Sequence, residues 1–159
     1  MIGTKIYKTD MSSYTDCAIW CNANNATIED KGEYYEVVEI PPPSLEEVKT
    51  AKINELKAIR DTKEVEPIRT DKGIFDYDDK SRDRLYIARQ ALTDAGGGEI
   101  VWTTADNQRV SMGIADFAAI NGAAAARSNS LHIKYNELKQ RVNAAQTVEE
   151  VEAIHWPED

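Results

Sequence analysis

Apolar positions recur along the chain at two periods, and the longest regular run lies between residues 114 and 145. Its small or apolar side chains alternate at spacings of three and four: Ile114, Phe117, Asn121, Ala124, Ser128, Leu131, Tyr135, Leu138, Val142 and Ala145. That spacing is an a/d seam of more than four heptads with two polar interruptions, and it predicts one long helix packed on another. The cover can come from a second copy. It can equally come from an earlier helix of the same chain, where Leu45, Val48, Leu56 and Ile59 share one side. Asn121 and Ser128 have two open readings. They fix register or select a partner, or this part of the helix meets water or a turn of its own chain.

The rest of the pattern predicts an α+β chain, mostly helical. Residues 1–43 read as a small β-α-β-β module. A strand runs from Ile2 to Lys8, and Ser13 with Asp16 resembles a capping box. The helix it opens has Tyr14, Cys17, Ala18 and Cys21 on its face. Asn24-Asn25 ends that helix, a strand follows near residues 26–29, and Asp30-Lys31-Gly32 turns into a strand ending at Ile40. Pro41-Pro42-Pro43 is a stiff hinge. Residues 44–159 then read as a helical domain with a β-hairpin. Ser44 and Glu47 open a helix reaching about Arg60, and an irregular hairpin turns around Asp71-Lys72-Gly73. Asp78 or Asp79 caps a helix over 80–95 that Gly96-Gly97-Gly98 stops. Residues 100–104 and 109–112 alternate as strands of a tight hairpin, with Trp102 as a core anchor and Asp106 and Asn107 in the turn. Thr147 and Glu150 open a last short helix facing inward through Val148, Val151 and Ile154.

Composition narrows the function classes. The formal charge of −9 and the lack of a basic stripe argue against nucleic acid, and the acidic surface is read as a solvated one. No apolar run spans a bilayer, and the first residues lack the pattern of a secretory signal, so no membrane is expected and a cytoplasmic origin is the default.

Candidate chemistry is sparse. Cys17 and Cys21 share a helix face, but zinc would need further ligands and only His132 and His155 exist, both distant; buried free thiols are the better account. Asp76, Asp78 and Asp79 fail the calcium-loop pattern at its turn glycine and closing glutamate, and suit a helix N-terminus instead. The glycine triplet lacks the Lys and Ser/Thr of a phosphate loop. His132, beside the seam, reads as a packing or interface residue because no nucleophile motif accompanies it. Glu149, Glu150 and Glu152 belong to a capped helix face. Neither a catalytic residue nor a cofactor or metal ligand is assigned.

Several segments carry a resemblance. They are Asp78-Asp79-Lys80-Ser81-Arg82 before a helix, Trp102-Thr103-Thr104-Ala105-Asp106-Asn107, the long Ala-rich helix, and Ala144-Ala145-Gln146-Thr147 leading to Ile154. Together they resemble a domain of unknown function found at the C-terminus of tailed-bacteriophage and prophage tail proteins. The first forty residues are similar to segments that precede it. Members commonly carry glycine where Asn107 stands, and Asn also accepts positive φ. The resemblance implies a non-catalytic protein of the virion tail, made in the host cytoplasm, and it supplies no catalytic residues. As a component of the tail-fibre or baseplate apparatus it would contact other tail or tail-fibre proteins, with homo-oligomers expected on a symmetric particle. The alternatives are a tail-fibre assembly chaperone absent from the mature particle, and a small cell-wall hydrolase, for which no catalytic constellation is recognised.

Overall fold

A computed structural model describes residues 1–158 and divides the chain into two compact units, Met1–Ser44 and a second that begins at Leu45. The chain is α+β and mostly helical, as the pattern predicts.

In the first unit, strand β1 (Lys5–Tyr7), helix α1 (Tyr14–Ala23), β2 (Ala26–Asp30) and β3 (Tyr34–Glu39) follow in order. The strands form an antiparallel sheet ordered β1-β3-β2. Period-two alternation sends Ile6, Ala26, Ile28, Tyr35 and Val37 into one small core with Cys17 and Cys21 of α1. Both cysteines are free and buried, as expected for thiols acting as small hydrophobes. On the other face Tyr7 sits opposite Tyr34, their ring centroids 5.8 Å apart. Asn25 takes φ +49, the left-handed turn that frees the chain from α1 into β2. The capping box expected at Ser13 does not form. Ser13 has helical rather than extended backbone angles, φ −95 and ψ 0, and its side chain makes no capping bond. The backbone turn closes the start instead, with the Tyr14 N–H donating to the Met11 carbonyl at 3.1 Å.

The second unit is built around α4 (Ile114–Ala144), whose 31 residues span roughly 46 Å at 1.5 Å per residue. Before it come α2 (Leu45–Glu64), the hairpin β4 (Ile68–Thr70) with β5 (Gly73–Phe75), α3 (Asp79–Asp94) and the hairpin β6 (Glu99–Thr103) with β7 (Arg109–Gly113); α5 (Val148–Glu152) follows it. Local rules account for the ends. The Asp78 carboxylate accepts the Ser81 N–H at 2.8 Å, and the Thr147 hydroxyl accepts the Glu150 N–H at 3.2 Å. All three glycines after α3 adopt positive φ, which stops the helix. The hairpins lock together where the Ala105 N–H donates to the Ile74 carbonyl at 2.8 Å. Gly73, at φ +136, closes the β4–β5 turn, and a Cβ there would meet Thr104 Cγ2 at 3.0 Å.

The seam on α4 is covered by its own chain, and by different elements at its two ends. Phe117, Ile120 and Ala124 pack with Ile68 and Phe75 of the first hairpin, Leu85, Ala88 and Leu92 of α3, and Met112 of β7. Tyr135, Leu138, Val142 and Ala145 pack with Leu56 of α2, with Val151, Ile154 and Trp156 beyond them, and Leu45, Val48, Ile53, Ile59 and Leu131 close the margins. The heptad reading needs one correction: at the position it gives Asn121, the fully buried residue is Ile120. A straight helix turns once per 3.6 residues, so a strict 3.5 repeat drifts off the buried face by about 20° per heptad.

Internal cover makes a quantitative prediction. Leu56→Ala should lower the urea-unfolding free energy by about 2–5 kcal/mol, as for other large-to-small core changes. Ile133→Ala, on the exposed side of α4, should change it by less than about 0.5 kcal/mol. Equal losses would mean that α4 buries a different face.

Candidate functional site

Between its two apolar clusters the inner face of α4 is polar, and a cleft of about 370 Å³ opens there. Three elements converge on it. The last turn of α2 brings Asp61 and Glu64, the first turn of α3 brings Asp79 and Arg82, and mid-α4 brings Asn121, Ala124, Ala125 and Ser128. Tyr77 and Val65 complete the lining. Both polar interruptions of the seam therefore face this cleft.

One residue that sequence reasoning missed holds the end of α2 beside the cleft. Arg127 sends its guanidinium to the end of α2. Its Nη2 donates to the Glu64 carbonyl at 2.6 Å, and its Nη1 donates to the Glu66 carbonyl at 2.7 Å. A helix leaves its last carbonyls without intrahelical donors, and this cation supplies them from a helix 63 residues away in sequence. The same guanidinium lies 5.6 Å from the Tyr77 ring centroid. Beside it Ser128 Oγ donates to Glu64 Oε1 at 2.5 Å, and His132 Nε2 stands 3.3 Å from the same oxygen. Hydroxyl and imidazole thus both meet the carboxylate rather than each other, so the serine has no histidine base beside it, as a nucleophile would need. His132 is an exposed residue of the α2–α4 contact. Asp61 pairs with Arg60 at 2.5 Å and Asp79 with Arg82 at 2.8 Å.

The other predicted positions have structural roles. Trp102 is half-buried and meets Phe117 edge-on, centroids 5.4 Å apart at 83°, with the Arg84 guanidinium 5.4 Å from its ring. Asp106 and Asn107 form the β6–β7 turn: the buried Thr104 hydroxyl donates to the Asp106 carboxylate and accepts the Gln108 N–H at 2.9 Å, while Asn107 takes φ +60. Ile114 is half-buried at the edge of the first cluster and Leu131 at that of the second. Phe117, Ala124, Tyr135, Leu138 and Val142 are buried. Among the described residues, no three His, Cys, Asp or Glu side chains stand close enough to hold a metal ion. Asp76, Asp78 and Asp79 are a helix start, with Asp78 as its cap.

Fold and cleft define a helical domain, led by a hairpin-braced long helix, with polar rather than nucleophilic side chains at its centre. Residues 47–155 match a family described as a domain of unknown function (DUF4376), and the chain belongs to that family. No curated protein and no solved structure matches the chain.

Two outcomes follow from these contacts. Arg127→Ala should cost about 1.5–3 kcal/mol in urea unfolding, the scale of hydrogen bonds to a charged group. Arg127→Lys should restore only part, since an ammonium lacks the planar fork. At Asp78, the Ser81 backbone N–H holds the carboxyl below its ordinary value. A depressed folded pKa gives stability that is full above the unfolded value and is lost as pH falls through the folded one. Asp78→Asn keeps the cap without the charge, so its stability should fall less on acidification than that of the wild type, read from unfolding midpoints at neutral and acid pH.

Proposed function

We propose that this chain is a non-catalytic bacteriophage tail protein, a component of the tail-fibre or baseplate apparatus that works through protein–protein contacts. The observation that carries the reading is the contrast between its two units. The family domain closes its long seam internally. The first unit buries only five apolar side chains in its core cluster, while Met1, Ile2, Tyr7, Met11, Ile19 and Ile40 are exposed. So many exposed large hydrophobics on so small a unit suit a surface that another protein covers. The resemblance of the sequence to tail-protein segments supplies the setting.

A tail-fibre assembly chaperone is the second reading, and the covered seam favours it. A helical domain that needs no second copy to bury its apolar stripe suits a protein that binds and leaves. Homo-oligomers, where they form, would use surfaces other than that seam.

Purified particles from a lysogen that carries the gene separate the two, by quantitative mass spectrometry against known tail proteins. A fixed stoichiometry supports the structural component. Presence in the lysate on immature fibres, with none in particles, supports the chaperone. Absence from both overturns the tail assignment.

A further inference from the structure

We propose that the free edge of β2 takes up an extended segment of a partner protein as a fourth strand of the first unit's sheet. The proposal rests on the reading of this chain as a contact protein and specifies the chemistry of one contact. The order β1-β3-β2 leaves the sheet two outer edges. The ladder between β2 and β3 fixes which groups the β2 edge shows. At its two ends the Ile40 N–H donates to the Asn25 carbonyl at 3.1 Å and the Lys31 N–H to the Tyr34 carbonyl at 2.8 Å. Hydrogen bonding alternates along an antiparallel pair, so Thr27 and Glu29 also bond β3. Ala26, Ile28 and Asp30 then turn their N–H and carbonyl groups outward. Among the described residues, no backbone group reaches that outward row. The strand has neither the proline nor the bulge that would blunt it. The β1 edge is different: it is three residues long, and the Asp10 N–H already donates to the Tyr7 carbonyl at 2.8 Å.

The side chains beside this edge select what the segment carries. A groove of about 210 Å³ lies along it, between Ala26 and Ile28 of β2 and Tyr14, Ala18 and Asn22 of α1. Residues directly opposite in a ladder share a face, so a residue opposite Ile28 places its side chain in this groove, which suits one branched apolar group. Its neighbours along the segment fall on the other face, beside the exposed Thr27 and Glu29. Glu29 pairs with Lys31 at the surface, an exposed contact that a cross-strand cation can share. Residues 1–44 hold three lysines against seven aspartates and glutamates. That excess favours a basic segment and disfavours a second copy, which would crowd Glu29 and Asp30 of both chains on one short ribbon. The occupant is therefore a strand of alternating apolar and basic residues, held through its main chain.

The test is an amide NMR titration of the full chain with a short acetylated and amidated peptide of alternating lysine and valine. Two N-methylated forms separate main-chain pairing from charge. Methylation at the valines removes the donors that would face β2, and methylation at the lysines removes only those on the far side. In the free chain the amides of Ala26, Ile28 and Asp30 should exchange with deuterium faster than those of Thr27 and Glu29. The peptide should shift the first three saturably and slow their exchange, with an affinity on the order of millimolar for so small a probe. The valine-methylated form should bind at least about tenfold more weakly than the lysine-methylated one. A peptide with glutamate in place of lysine should bind more weakly than the parent. Ala18→Leu fills the groove, keeps every backbone group, and should weaken binding in a chain whose circular dichroism is unchanged; should that variant misfold, the peptide comparison decides. The proposal is overturned by a response that does not saturate, by equal binding of the two methylated forms, by undiminished binding of the glutamate peptide, or by undiminished binding to a folded Ala18→Leu. Slow exchange of the three outward amides in the free chain also overturns it, since the edge is then already covered. A failed titration of a chain that still co-purifies with particles strikes the edge alone. Saturable binding by a chain absent from all phage fractions overturns the tail reading and leaves the edge.

Discussion

The second unit depends on a single constraint: one 31-residue helix has an apolar face longer than any other element of the chain can cover. The chain solves this by assigning different partners to its two ends. The N-terminal half lies under two hairpins and α3, and the C-terminal half under α2 and α5. Each cluster alone is modest, and the shared helix makes them one body, because a rigid rod transmits the position of one core to the other. The short connections serve that arrangement. Two hairpins stitched at Ala105 and Ile74 hold Trp102 against Phe117, while the Arg127 guanidinium holds the end of α2 where the two cores meet.

That division explains the polar gap. Where the partner of α4 changes from α3 to α2, no helix lies flush against it, and a large apolar side chain would face a half-wet opening. Polar groups are tolerated at such a place if they are satisfied. Ser128 is satisfied by Glu64, and the two terminal nitrogens of Arg127 by the carbonyls of Glu64 and Glu66, while its buried Nε has no partner. Asn121 and Ser128 both line the open cleft, and Ser128 bonds the last turn of α2 in its own chain. They mark the change of partner along the helix.

Much of this fold is legible in the sequence because it is written locally. Asp78 and Thr147 cap their helices, Asn25 and Asn107 take the left-handed turns their side chains tolerate, and the glycine triplet stops α3. Ser13 shows the limit of such signals: the residue types of a capping box are present, but a backbone turn from Met11 already closes the helix start. The strict heptad pattern passed over Ile120, although Phe117, Ile120 and Ala124 hold helical spacing. Arg127 was beyond reach for a different reason. Nothing near it in sequence announces that its partners lie 63 positions earlier, since the contact exists only once α2 and α4 have packed. The cleft is illegible on the same ground: its acids come from separate helices, each reading alone as a solvated face.

The cleft is also where apolar packing gives way to polar contacts. A gap in a seam weakens the packing of the helices around it, and small residues at Ala124 and Ala125 leave it open where larger apolar ones would narrow it. Two acids at the end of α2 add repulsion that favours no helix, because negative charge is unfavourable at the negative end of the helix dipole. Arg60 and the Arg127 fork offset that cost locally. The chain meets that cost itself: Arg60 pairs with Asp61, Ser128 with Glu64 and Arg82 with Asp79, so the gap between the two cores is closed by polar contacts where apolar ones cannot reach.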